Sequence, residues 1–236
     1  MSLEQKINNY QTTSSAKDLL RSTKIALLVG IAGAGKDTIK KRLLADGGFR
    51  DIVSHTTRPA RSNNGVREKN GIDYHFVDDQ TIESMIDTRQ FIEAKYVHGT
   101  VYGTSIDELQ QVHDQNKIAL TDIDVQGVDE YKRLAAETVA VFILPPDYAT
   151  WRKRLEKRYQ SADEFDIEWP KRRASAIREL EHALAVSYYH FLINDDIKRA
   201  VKVAVSIATR EDSYNRQDDE ARLKARDLLD EIKLSH

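Results

Sequence analysis

The sequence predicts an α/β fold, a mainly parallel sheet with helices on both faces, interrupted by one small mixed insertion. Three observations predict it. Short, continuous apolar runs recur at Ile25–Val29, Ile118–Leu120, Val139–Leu144 and Phe191–Ile193, as in strands buried on both faces. Helical patterns at about 126–135, 147–158 and 170–190 alternate with the later runs, and such alternation demands crossover connections between parallel neighbours. Residues 50–105 break the rhythm with Arg, Asn, Gly, Tyr and Thr and only short candidate strands at Tyr74–Val77 and Phe91–Lys95. That stretch reads as an insertion over one end of the sheet, a usual place for substrate contacts.

Bulk properties agree. A chain of 236 residues allows one large domain or two small ones. Hydrophobic residues at 40%, charged residues at 31%, 10 Gly and 4 Pro exclude collagen-like, low-complexity and wholly disordered classes. Thirty-six Lys plus Arg against 38 Asp plus Glu give a net charge of −2, so no basic excess points to nucleic acid or an anionic membrane. The lack of cysteine removes disulfides, thiolate nucleophiles and cysteine metal sites, and fits a reducing compartment. The longest apolar stretch, Ile25 to Ala32, is far shorter than the ~20 residues that span a bilayer. Charges and amides fill the first residues, MSLEQKINNY, where a leader needs an apolar region. The expected location is the cytoplasm.

Taken in order, residues 1–23 read as a polar tail in which Ala16–Leu20, after Thr12-Thr13-Ser14-Ser15, makes one or two capped turns. The strand Ile25–Val29 follows, and then a helix from near Gly35 that carries Ile39, Leu43 and Leu44 and stops at Gly47-Gly48. At the other end, Ala221, Ala225, Leu228 and Ile232 share one helical face, so 218–234 is expected as a docked amphipathic helix.

Between that first strand and helix stands Gly30-Ile31-Ala32-Gly33-Ala34-Gly35-Lys36-Asp37-Thr38, the GxxxxGK core of a P-loop. Glycines let successive amides turn inward around a β-phosphate, the helix adds its positive end, and Lys36 bridges the β- and γ-phosphates. An ordinary Gly-rich turn is the plain alternative; three glycines, the lysine and both flanks in register argue against it. Asp37 stands where a Ser or Thr normally ligates Mg²⁺, with Thr38 next. Asp122, just past a strand, is a second candidate for Mg²⁺ or its waters, or else the N-cap of the helix near Gln126.

The segment Val53-Ser54-His55-Thr56-Thr57-Arg58-Pro59-Ala60-Arg61 closely resembles the guanylate kinase signature, and Asn70 to Val77 continues it. The resemblance runs on through Phe91-Ile92-Glu93, Tyr102-Gly103-Thr104, Asp122 to Gly127, Ile143-Leu144-Pro145-Pro146 and Ile193-Asn194-Asp195-Asp196, covering about 24–208 in the family's order. It implies a P-loop sheet with a GMP-binding insertion at about 53–105, a helical lid at about 159–172, core segments at about 24–52, 106–158 and 173–208, and a helical extension over 209–236.

The same resemblance implies roles. Arg58, Arg61, Tyr74 and Tyr102 match the clamp on the GMP phosphate, where forked guanidiniums suit a dianion. Glu93 matches the carboxylate that accepts from guanine N1–H and the 2-amino group, with Ser54, Thr104 and Asp124 around the base; adenine has no N1–H donor and would leave that charge unpaired. Arg158 and Arg172 match best the arginines on either side of the lid, although the interval Tyr159 to Lys171 is longer than usual and lacks the common Gly-Thr. Lys153 and Arg154 read as a solvated face, and Asn194 matches a residue near the donor adenine. The seven histidines show no zinc-binding spacing, and His55 and His75 are given no chemistry.

The function implied is ATP:GMP phosphotransfer with Mg²⁺, giving GDP and ADP, by a monomer or homodimer that closes over its substrates and needs neither nucleic acid nor membrane. Two rivals are a catalytically weak binding module of the same fold, which would typically degrade the loop, and a P-loop kinase for another phosphorylated acceptor such as a ribose bisphosphate.

Overall fold

The computed structural model describes residues 1–63, 66–97, 99–210 and 215–235. The chain opens with α1 (Leu3–Asn8) and α2 (Ser14–Ser22), then β1 (Ile25–Val29), α3 (Lys36–Ala45), β2 (Phe49–Asp51) and β3 (His55–Thr56). A small hairpin, β4 (Ser62–Asn63) and β5 (Val66–Arg67), leads to β6 (His75–Phe76), α4 (Asp79–Asp87), β7 (Phe91–Val97), β8 (Thr100–Ser105) and α5 (Ile106–Asp114). The remainder alternates as β9 (Ile118–Asp122), α6 (Val125–Leu134), β10 (Val139–Leu144), α7 (Tyr148–Glu156), α8 (Ala162–Ala185), β11 (Tyr189–Ile193), α9 (Ile197–Thr209) and α10 (Asn215–Leu234).

These elements form two compact units. The first comprises Met1–Lys24, Arg50–Ala119 and Leu134–Ala136. Its sheet is ordered β6-β3-β8-β7, with β3 parallel to β6 and antiparallel to β8, and β8 antiparallel to β7. Ile7, Ile82, Ile86, Phe91 and Val101 make its core. Ile7 lies in the segment expected as a tail, so that expectation is corrected: residues 1–23 are folded onto this unit. A reciprocal Ser2–Gln5 box and Thr13 cap the two helices, Ala16 and Leu20 are buried, and Lys6 pairs with Glu83 at 2.8 Å and Asp87 at 2.7 Å. One or two buried residues per short helix leave the composition polar while anchoring the segment.

The second unit comprises Ile25–Phe49, Leu120–Arg133 and Glu137–His236. Most of the five-stranded sheet, ordered β11-β10-β1-β9-β2, belongs to it, and β10 pairs in parallel with both β1 and β11. Leu27, Leu28, Val29, Phe142 and Phe191 are all buried, on both faces of the sheet. From β1 the chain crosses toward β2, whereas from β10 it crosses toward β11. Two neighbours with connections leaving in opposite directions open a crevice at their carboxyl ends, where ligands bind in such sheets.

Helix α8 departs from the expected 170–190 by starting at Ala162 and running through Pro170. Its start is fixed locally: the Ser161 hydroxyl accepts from the Glu164 amide at 3.2 Å, and the Glu164 carboxylate accepts from the Gln160 amide at 2.8 Å. That capping, together with burial of Phe165 and Trp169, overrides the hydrogen bond that Pro170 cannot donate. At the chain's end α10 docks as expected, with Ala221, Ala225, Leu228 and Ile232 buried. Arg222 donates to the carbonyls of Leu184, Val186 and Tyr189, and Arg173 donates to those of Ile232 and Lys233. Residues 211–214 and 236 of the expected extension lie outside the described residues.

Candidate active site

The loop between β1 and α3 sits at the crevice. Gly30 has φ +138°, and a Cβ there would overlap the Ile143 carbonyl oxygen of β10; Gly35, at φ +97°, has the Asn194 amide in that place. Both positions therefore require glycine. The Lys36 ammonium donates back to the Gly30 carbonyl at 2.5 Å, closing the loop on itself. Three further side chains hold its outer carbonyls: Trp151 Nε1 donates to Ala32 O at 2.7 Å, Asn194 Nδ2 to Ala34 O at 2.8 Å, and Arg154 to Ala34 O at 3.3 Å. Arg154 also donates to Asn194 O at 3.1 Å. The solvated-face expectation for Arg154 is thus corrected, while Lys153 is exposed.

Charge gathers around Lys36. Burial pulls its ammonium below the ordinary lysine range, opposed by Glu179, Asp122 and Asp37, while Arg158 adds to the lowering. Asp122 bonds Lys40 at 2.8 Å with about 40% of its side chain exposed. Burial pushes its carboxyl up, but Lys40 and Lys36 outweigh that and hold it below the usual value. The helix cap at this strand end is Asp124 and not Asp122, because Asp124 accepts from the Gly127 amide at 2.7 Å. Glu179, which the sequence reading passed over, is raised by burial and accepts from the Ser175 hydroxyl at 2.8 Å. Asp37 is exposed in the first turn of α3, whose N-cap, Gly35, offers no side chain.

On the lid side, Arg158 is exposed and Arg172 donates through Nε to the Tyr159 hydroxyl at 2.8 Å. Trp151, Trp169, Phe165 and Tyr159 form a chain of tilted and edge-on ring contacts with centroid separations of 5.5, 5.5 and 5.6 Å, and Arg152 lies 4.9 Å over the Trp169 ring. The interval expected as lid is therefore mostly the first half of α8.

In the first unit, Arg58 is 7% exposed. Its guanidinium pairs with Glu68 at 2.9 Å and lies 5.2 Å from the Tyr74 ring centroid, and Tyr74 and Tyr102 pack edge-on at 6.0 Å. Glu68 also accepts from the Arg61 amide at 2.7 Å. Arg58 is raised by Glu68 first, with smaller help from Tyr102, and Glu68 is lowered by Arg58. Of the four expected clamp residues, Arg58, Tyr74 and Tyr102 are thus together, and Arg61 joins through its backbone with its side chain exposed. Glu68 went unread because the β4–β5 hairpin separates it from Arg61.

Glu93 lies opposite Thr104 in the β7–β8 ladder, and its carboxylate accepts from the Thr104 amide at 3.0 Å. Thr104 is 3% exposed. The Ser54 carbonyl accepts from the His75 amide at 2.9 Å. His55 and His75 stack at 4.5 Å, and His75 Nε2 lies 2.9 Å from Glu108.

Comparison with known proteins points to one family. The family model described as "Guanylate kinase" matches residues 22–210. A guanylate kinase of Thiobacillus denitrificans is 39% identical over 177 residues, covering 75% of this chain and 80% of that one. The guanylate kinase of Schizosaccharomyces pombe is 37% identical over 197 residues, covering 81% and 94% respectively. Among solved structures, a guanylate kinase from Anaplasma phagocytophilum superposes with a TM-score of 0.57 at 28% identity, over 80% of this chain and 86% of that one.

Proposed function

The chain belongs to the guanylate kinase family, and on that premise we propose how its residues transfer the γ-phosphoryl group of ATP to GMP. The observation that carries the reading is the fully built loop, in which Gly30, Gly35 and Lys36 are in place and three side chains fix its carbonyls. A binding module that had abandoned catalysis would have no use for it.

The loop from Gly30 to Thr38 holds the donor's phosphates, with Lys36 on the β- and γ-oxygens and Asn194 at the adenine end. Arg58, Arg61, Tyr74 and Tyr102 hold the acceptor phosphate. Glu93 reads guanine, helped by Ser54, Thr104 and Asp124. An oxygen of the GMP phosphate attacks the γ-phosphorus, the bond to the bridging oxygen breaks, and its electron pair leaves with ADP. That oxygen is already ionised near neutral pH, so no general base is needed. Catalysis rests on alignment and on charge neutralisation by Lys36, Arg58, Arg158 and Arg172.

A divalent metal carried by the nucleotide would be held by this chain's carboxylates. Asp122, partly exposed beside Lys40, and the exposed Asp37 make a sparse carboxylate set, which suits Mg²⁺ that keeps its waters and leans on phosphate oxygens. Asp122 would hold it directly or through water, with Asp37 at its edge. When bound, the ion withdraws charge from the β- and γ-phosphates. Making GDP would be a step of purine nucleotide metabolism, and the cysteine-free composition fits the cytoplasm. An ADP-release assay with GMP, AMP and ribose phosphates as acceptors tests the assignment. Turnover with GMP alone is expected, and equal turnover with AMP or a ribose phosphate overturns it.

A further inference from the structure

We infer that the N-terminal segment sets guanine recognition: Tyr10, acting through the backbone of Phe91, positions Glu93. The inference rests on the reading of Glu93 as the base-reading carboxylate.

Strand β7 is the edge of the first unit's sheet, and an edge strand presents backbone groups that no neighbouring strand satisfies. At Phe91 they are satisfied by side chains. The Tyr10 hydroxyl accepts from the Phe91 amide at 3.0 Å and donates to the Phe91 carbonyl at 2.6 Å. Thr12 donates to that carbonyl at 2.8 Å. Two hydroxyls from the N-terminal segment thus serve one residue of the strand.

That residue begins an irregularity. Phe91 pairs with Ser105 while Glu93 pairs with Thr104, so Ile92 is an extra residue in β7. A bulge bends its strand and re-aims the side chain that follows it, and here the side chain that follows is Glu93. Its carboxylate accepts from the Thr104 amide on the ladder side, and the bulge's outer side is held by Tyr10 and Thr12.

The anchor is itself fixed. Ile7 is buried in the unit's core, Lys6 is paired to α4, and the Tyr10 ring packs edge-on against Phe91 at 6.5 Å. These contacts secure the segment without the hydroxyls. The hydroxyls add a constraint on the backbone two residues before Glu93, which makes Tyr10 a positioning residue.

Tyr10→Phe removes one oxygen atom and keeps the ring. In the full chain, with Thr12→Val added as a second variant, it is expected to raise KM for GMP about fivefold, the scale of one net hydrogen bond. KM for ATP and kcat should stay within about twofold, since only the acceptor-reading group is displaced. The preference for GMP over IMP, which lacks the 2-amino donor, should narrow by a similar factor. In a Glu93→Gln background, adding Tyr10→Phe should change neither quantity. A lowered melting temperature with wild-type KM for GMP and a wild-type GMP:IMP ratio overturns the inference, as does an equal rise in both KM values. If Glu93→Gln leaves the GMP:IMP ratio intact, the base-reading role of Glu93 falls and this inference with it. If Glu93→Gln collapses that ratio and Tyr10→Phe does not, the positioning role alone falls.

Discussion

The loop after β1 and the cluster around Arg58 both hold phosphate in the proposed enzyme, but one is made of backbone and the other of side chains. The loop takes its shape from glycines at positive φ and from carbonyls tied to Trp151, Arg154 and Asn194. The cluster takes its shape from an ion pair, in which Glu68 holds both the Arg58 guanidinium and the Arg61 amide. A backbone site tolerates exchange of most side chains and fails at the glycines and the lysine. A side-chain site weakens in steps, and each step is specific to one ligand.

Four measurements bear on that contrast, the largest expected effect first. Lys36→Ala should lower kcat on the order of 10²–10³-fold, the cost of losing one preorganised charge at the reacting centre, while the melting temperature barely moves. Near-normal turnover would erase the contrast and favour a binding module. Next, Arg58→Ala should weaken GMP binding by about 1.5–3 kcal/mol, as for a charge-assisted hydrogen bond, with ATP binding unchanged by calorimetry. It should also destabilise the fold by stranding Glu68, whose side chain is 14% exposed. Arg61→Ala, at an exposed side chain, should affect GMP binding alone. Equal melting temperatures for the two variants would show that the ion pair does not build the cluster.

The third measurement uses pH to probe the strand that leads into the Arg58 cluster. Burial, and then His75, push His55 down to about 4 from 6.5. The folded protein therefore favours neutral His55, and between about pH 6.5 and 4 the unfolded chain binds more protons. That stability is fully present above 6.5 and is lost as pH falls through the window. Thermal melts from pH 7.5 to 4.5 should show the decline, and His55→Gln should flatten it. An unchanged slope in that variant would remove His55 as the source; residues 30–38 contain no histidine to replace it. The smallest effect is expected at Asp37. Asp37→Ser should keep turnover while shifting the Mg²⁺ needed for half activity by a few-fold, on the order of 1 kcal/mol or less for an exposed charge. An unchanged requirement would detach Asp37 from the metal.

The same contrast explains what was legible in the sequence. The loop is contiguous, so a buried strand, glycines and a lysine in register disclose it, and the apolar face of α10 is disclosed by helical spacing in the same way. The residues that support these parts are distant in sequence. Arg154 reads as one more charge on a helix until Ala34 O is found beside it, and Glu68 acquires meaning only when the β4–β5 hairpin returns it to Arg58. Residues 1–23 were masked by polarity, because α1 docks through one buried core residue, Ile7, and through ion pairs of Lys6 with Glu83 and Asp87, while its capping box is itself polar. In α8 the expected start at about 170 falls eight residues late, although Ser161 and Glu164 together mark the earlier start at Ala162.

The aromatic stack beneath the loop gives the molecule an optical probe of its own. The chain has two tryptophans, both in the second unit, with ring centroids 5.5 Å apart at an interplanar angle of 51°. One donates its indole N–H to the nucleotide loop and the other is carried by α8. Indoles this close and this tilted are expected to couple as an exciton pair in the ultraviolet circular dichroism spectrum. Indole emission likewise arises only from this unit, so a titration followed at the red edge of absorption, where tyrosine is dark, reads the nucleotide loop and its helix without a label.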